Sequence, residues 1–139
     1  MPIGDAGPSQ SKKLGLKPGL RIHIDSPPPK WSFIDPPSGL IYSEPPLPAD
    51  LVLSFFSESA QLDRRLPALV KQIFPVGVLW IAWPRRAGGH ESDITDNIIR
   101  THALPLGIVD VKVAAIDADW SGLKMMWRVE LRGQNSKRR

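Results

Sequence analysis

The chain has 139 residues, of which 42% are hydrophobic and 23% charged, and a formal net charge of +4. That is enough for one domain with one hydrophobic core. The absence of cysteine excludes disulfides, thiolate metal sites and cysteine nucleophiles, and no apolar run approaches the roughly 20 residues of a membrane span.

Residues 1–13 are polar and rich in Gly, Ser and Lys without periodicity. They are expected to be disordered or loosely attached, ahead of a single α/β domain over 14–132. Arg21-Ile22-His23-Ile24-Asp25 reads as a short buried strand. The stretch from Pro27 to Pro48 carries eight of the fifteen prolines together with Trp31, Phe33, Ile34, Leu40, Ile41 and Tyr42. Proline favours extended and turn geometry, and the interspersed aromatics predict that residues 26–48 are a long loop packed on the domain, without a strand of its own.

Asp50 to Phe56 is a second buried strand. Leu62, Leu66, Leu69, Val70 and Ile73 recur every three or four residues, which predicts a helix from about Ser59 to Ile73. Pro67 predicts a kink in it, or a second helix starting there, and Pro75 ends it. Val78-Leu79-Trp80-Ile81-Ala82-Trp83 is apolar on both faces, as a central strand is. A basic, glycine-containing loop runs from Pro84 to Glu91. Ser92 or Asp93 then caps a helix whose apolar side is Ile94, Ile98 and Ile99 and which stops by Leu104. Residues 109–116 and 123–131 alternate as two strands of a hairpin joined by Asp117–Gly122. On that hairpin Lys112, Lys124 and Arg128 are expected on the solvated face, paired across strands with Asp110 and Glu130. The tail 133–139 is basic and is expected to be disordered.

Strands separated by helices imply parallel pairing with right-handed crossovers, and the closing hairpin must be antiparallel. The expected fold is a small, mostly parallel α/β sheet. The run Leu14-Gly15-Leu16-Lys17-Pro18-Gly19-Leu20 feeding the first strand resembles the start of class I S-adenosylmethionine-dependent methyltransferases. The whole order resembles the C-terminal half of that Rossmann-like sheet, with the proline-rich loop in place of two strand–helix units. In such enzymes a glycine-rich turn follows the first strand, because only glycine lets the backbone approach the ligand closely. Here the turn is Ser26-Pro27-Pro28-Pro29, which lacks the N–H groups such a cradle needs. The acidic residue expected after a second strand is also missing, although Asp25 imitates the one that ends the first. No cofactor is expected to bind, and no methyl transfer is expected.

The segment from Leu14 to Arg132 also resembles a bacterial family, the domain of unknown function 3052. The residues that carry this are Lys13–Gly19, Leu79–Arg86, Asp93-Ile94-Thr95, Ala103–Val113 and Trp120–Lys124. The resemblance implies no reaction.

Ligands of open α/β sheets bind beyond the carboxyl ends of the parallel strands. Asp25-Ser26, Ser57-Glu58 and Pro84-Arg85-Arg86 fall there. Arg85 and Arg86, with the N-terminus of the helix at Ser92-Asp93, form a candidate site for a phosphate or carboxylate; the alternative is that both arginines are solvated or pair with Asp93 and Asp96. His90 with Asp93 is a candidate acid–base pair, and a surface histidine otherwise. His23, His90 and His102 lack metal-ligand spacing, so no metal site is expected. No nucleophile elbow and no P-loop exist, so no catalytic residue is assigned. Trp120 is either an exposed partner contact or packed back over the sheet. Trp127 is expected in the core. The basic residues are too scattered to predict nucleic-acid binding. The resulting expectation is a cytoplasmic binding or regulatory module that engages a protein partner through the rim, or a sensor or enzyme for a small anionic ligand at the same rim; the N-terminus also lacks a signal-peptide core.

Overall fold

Every residue of Leu51-Val52-Leu53-Ser54-Phe55 is buried, as in a strand covered on both faces. In the computed structural model, which describes residues 8–86 and 92–133, this strand lies near the middle of a six-stranded sheet. In chain order the elements are α1 (Gln10–Leu14), β1 (Arg21–Asp25), β2 (Ile41–Tyr42), β3 (Leu51–Phe55), α2 (Ala60–Ile73), β4 (Val78–Pro84), α3 (Asp96–Ala103), a 3-10 turn (Leu104–Leu106), β5 (Ile108–Ala115), β6 (Trp120–Trp127) and α4 (Val129–Arg132). The strand order is β2-β1-β3-β4-β6-β5. The first four strands pair in parallel, and β6 is antiparallel to both β4 and β5. The chain is thus a mostly parallel α/β sheet closed by an antiparallel hairpin, and the reversed strand sits one place in from the edge.

Side-chain alternation divides the core in two. On one face Val52, Phe56, Leu79, Ile81, Leu123 and Met125 pack against α2 and α3. On the other Ile22, Leu51, Leu53, Phe55, Trp80 and Ala82 pack against α1 and the proline-rich segment. The buried stripe of α2 is Leu62, Leu66, Leu69, Val70 and Ile73, each stabilising by about 1.5–3 kcal/mol relative to exposure. Pro67 does not divide this helix, which runs unbroken from Ala60 to Ile73. Pro67 and Asp63 are both exposed, so the carbonyl left without an N–H partner lies on the solvent side.

Several expectations are corrected. Residues 10–13 are part of a packed helix: the Ser9 side chain caps α1, Gly15 ends it with a left-handed φ of 84°, and the Trp80 indole donates to the Leu14 carbonyl at 3.3 Å. Gln10 is buried. Its amide donates to Ile116 O at 2.7 Å and accepts from Ile34 N at 2.7 Å. Such long-range partners cannot be read from local composition. Residues 26–48 hold a second strand after all, since Ile41 and Tyr42 pair with Arg21 and Ile22. Elsewhere in the segment Phe33 is buried and Trp31 and Leu40 are partly buried against the domain, while Ile34 and Leu47 are exposed.

The final strand ends at Trp127 rather than 131, because Arg128 turns the chain into α4. The hairpin loop is correspondingly short, since Trp120 already pairs with Pro84. The cross-strand charge pairing is also different. Asp110 is engaged by Arg100 of α3 at 3.1 Å, and Lys112 stands opposite Lys124. The tail 134–139 lies outside the described residues.

Candidate functional site

Parallel strands β1, β3 and β4 deliver Asp25, Ser57 and Arg85 to one rim of the sheet. At the end of β1 the Asp25 carboxylate is already occupied. Ser54 Oγ donates to it at 2.5 Å, and the Arg65 guanidinium, reaching in from α2, donates to the same oxygen. Arg65 also donates to Ser54 Oγ at 3.0 Å and lies 4.0 Å above the Phe56 ring. His23 Nε2 is 3.9 Å from the other Asp25 oxygen. Only about a fifth of either charged side chain is exposed, 22% for Asp25 and 21% for Arg65. Pairing and hydrogen bonding together offset the desolvation of both charges.

The chain after Asp25 turns through Ser26, whose φ of 55° is left-handed, the region where glycine is favoured. It then runs through three prolines and a second left-handed residue, Lys30, φ 64°. The Trp31 indole donates to Asp117 at 2.9 Å, and its ring meets Phe33 and Phe55 edge-on at 5.2 and 5.0 Å. The aromatic side chains of the proline-rich segment thus cover this sheet face.

The second part of the rim holds Arg85, Arg86, Ser92 and Asp93, which the structure brings to one cleft of about 590 Å³. Their surroundings differ from the expected anion cradle. Asp93 does not cap α3; it accepts from Ser59 N at 2.8 Å and Ser59 Oγ at 2.6 Å, at the start of α2. Those two bonds hold its carboxyl below the ordinary carboxylate range. Ser92 does not cap α3 either. Its hydroxyl donates to Ser57 O at 2.8 Å and accepts from Ile94 N at 3.1 Å. The cap of α3 is Thr95, which accepts from Ile98 N at 3.2 Å. Ser92 and Asp93 therefore stitch the segment before α3 to the turn before α2, a contact between chain positions 34 and 35 residues apart.

Arg85 is turned away from Asp93 and Asp96. Its guanidinium donates to Asp117 O at 3.2 Å and Ala118 O at 3.4 Å, and its N–H to Asp119 O at 2.8 Å, fastening the β5–β6 loop to the end of β4. Asp96 pairs with Arg100 at 3.1 Å. Arg86 is exposed, and has no hydrogen-bond or ion-pair partner among the described residues. Trp120 is partly buried; it starts β6 and meets Phe55 edge-on at 4.9 Å. His90 lies outside the described residues. His102, near the end of α3, contacts Asp63 through Nδ1 at 2.6 Å. Among the described residues no three His, Asp or Glu converge as a metal site, and no helix is long and apolar enough to cross a membrane. Sequence reasoning missed Arg65, because its role depends on α2 lying across the end of β1.

The fold resembles that of S-adenosylmethionine-dependent methyltransferases. A methyltransferase of this kind from Aquifex aeolicus superposes with a TM-score of 0.54 at 15% identity, over 84% of this chain and 87% of that one. LepI superposes with a TM-score of 0.53 at 14% identity, both in its complex with SAM and in its complex with SAH and a substrate analogue, and this chain spans 39% of LepI's length. At such identities the likeness shows the fold alone. No family model and no curated protein matches the sequence, so the resemblance to the domain of unknown function 3052 is not confirmed.

Proposed function

We propose that this chain is a cytoplasmic, non-enzymatic binding module built on a methyltransferase-like sheet, and that it engages an acidic segment of a partner protein at the rim. The observation that carries this reading is the closure of Asp25 by Arg65 and Ser54. SAM, which LepI binds in its complex, needs a polar group at the end of the first strand and backbone N–H groups in the turn after it. Here the carboxylate is spent on an internal partner. The turn offers Pro27, Pro28 and Pro29, which have no N–H, and Trp31 and Phe33 pack over the sheet beside it. These residues do not fit the cofactor.

What the rim still offers is Arg86, an exposed cation lining the cleft without a partner among the described residues. A guanidinium in this state favours carboxylates, with which it forms paired charge-assisted hydrogen bonds. The smaller reading, a sensor for a free carboxylate, uses the same group. The test is calorimetric titration of the full chain with SAM, SAH, succinate and a short poly-glutamate peptide. The peptide is expected to bind, and Arg86→Ala to abolish its binding, with SAM and SAH silent. Saturable SAM binding would overturn the reading, and succinate binding alone would favour the sensor.

A further inference from the structure

At the opposite end of the sheet, where β3 and β4 begin, a cleft of about 310 Å³ is lined by Lys17, Lys124 and Asp50, with Leu14, Leu20 and Val78 as apolar wall. Its one carboxylate is taken. Asp50 accepts from the Arg21 backbone N–H at 2.8 Å and from its guanidinium at 3.2 and 2.9 Å. Lys124 faces this cleft from β6, and Lys112 stands directly opposite it on β5. The Lys112 ammonium is 5.9 Å from the centre of the Trp80 ring, so both lysines share the sheet face that carries α1.

Like charges directly opposite across strands destabilise a sheet. Among the described residues no carboxylate pairs with Lys17, Lys112 or Lys124. Asp110, the neighbouring candidate, is committed to Arg100. Burial and the nearby Lys112 both lower the Lys124 pKa, which is consistent with an uncompensated pair. The fold therefore sets Lys112 opposite Lys124 and places Lys17 in the same cleft as Lys124, while the cleft's carboxylate, Asp50, is bound by Arg21.

We infer that Lys112, Lys124 and Lys17 form a phosphate-binding site at the amino ends of β3 and β4, separate from the rim. A phosphate group carries two charges and several acceptor oxygens, so one group bridges two ammoniums and removes their repulsion. The apolar wall of Leu14, Leu20 and Val78 would take the uncharged remainder of a phosphomonoester. A free phosphate compound and a phospholipid headgroup present the same chemistry.

The experiment is thermal denaturation and calorimetric titration of the full chain at constant ionic strength, with pyrophosphate as the soluble probe and phosphatidylcholine vesicles containing phosphatidate as the lipid probe. Pyrophosphate is expected to raise the Tm, and Lys112→Gln or Lys124→Gln to weaken its binding at least about tenfold. Lysine-dependent binding of the vesicles alone would support the same site with a lipid headgroup as its ligand. In phosphate-free buffer Lys112→Glu is expected to raise the Tm, because it turns the repelling pair into an attracting one. A fall in Tm would mean there is no tension for an anion to relieve, and would overturn the inference. Failure of both probes would overturn it, as would a response that survives in the double lysine variant or disappears only in Arg86→Ala.

Discussion

The Arg65 guanidinium, carried by α2, donates to the Asp25 carboxylate at the end of β1, across 40 residues of sequence. Ser54 donates to the same oxygen from the neighbouring strand. The carboxylate that ends β1 is therefore part of the domain's own packing and not a free hand at the rim.

Removing Arg65 should leave Asp25 with a half-buried charge and one hydroxyl partner. Arg65→Ala is expected to cost about 1.5–3 kcal/mol, the range for hydrogen bonds to charged groups. Asp25→Ala in the same background should add little. A double-mutant cycle in urea measures this, and additive effects would show that the two residues are not coupled.

Asp93 gives a pH prediction. Its folded pKa is depressed by the Ser59 hydrogen bonds, so the stability it contributes is fully present above the ordinary aspartate pKa and is lost as pH falls through the depressed value. Asp93→Ala should lower the Tm at neutral pH. The gap to the unmodified chain should close as the pH falls below the carboxylate range. A gap that persists in acid would assign the effect to something other than the carboxylate.

For Lys124 the charged form is the unfavourable one. Its folded pKa is lowered, so its charged form costs stability at neutral pH, and that cost is relieved as pH rises from the folded value to the ordinary lysine value. Lys124→Met should therefore be more stable than the unmodified chain at pH 7, with the advantage shrinking in alkali. Tm measured across the alkaline range checks this; an advantage independent of pH would point to the apolar side chain alone.

Gln10 uses both ends of its amide, on Ile116 O and Ile34 N. Gln10→Ala leaves those two backbone groups without their partner, at about 1–3 kcal/mol for each one left unsatisfied. Urea denaturation would register the loss, and a change below about 0.5 kcal/mol, the size of ordinary surface effects, would mean that the pocket relaxes around the gap.

Gly122 tests the close approach of β6 to the core. A Cβ there would lie 2.5 Å from Ile116 Cδ1 and 3.0 Å from Trp80 Cε3. Ile116 has a rotatable end, but Trp80 is fully buried beside it. Gly122→Ala is expected to cost about 1–3 kcal/mol by overpacking, read from the urea midpoint. A neutral result would show that Ile116 alone absorbs the methyl group.

Much of the architecture was legible from pattern. The run from Asp50 to Phe56 announced a buried strand, and the run at 78–83 a central one, because burial on both faces leaves the latter no polar position to alternate. The spacing of Leu62, Leu66, Leu69, Val70 and Ile73 announced α2 because only a 3.6-residue period puts them on one face. Pro67 misled locally, since its position on the exposed side of the helix follows from packing and not from the residue itself. Arg85, Arg86, Ser92 and Asp93 were legible as neighbours of one rim, because parallel strands bring their carboxyl ends to one side. Their partners were not legible, because a hydrogen-bonding side chain is satisfied by whichever group the fold presents.

Composition, periodicity and the order of strands and helices by themselves determined that this protein is a mostly parallel α/β sheet with a closing hairpin, and that Pro27–Pro29 follow its first strand. Those properties are local, set by backbone dihedrals and by which side chains avoid water. Only the tertiary structure decided that Asp25 is closed by Arg65, that Asp93 serves α2 instead of α3, that Gln10 ties α1 to the sheet and that Lys112 faces Lys124. Each of these depends on the register of strands or the placement of a helix over a strand end, and a shift of one residue in a strand would turn its side chains to the other face.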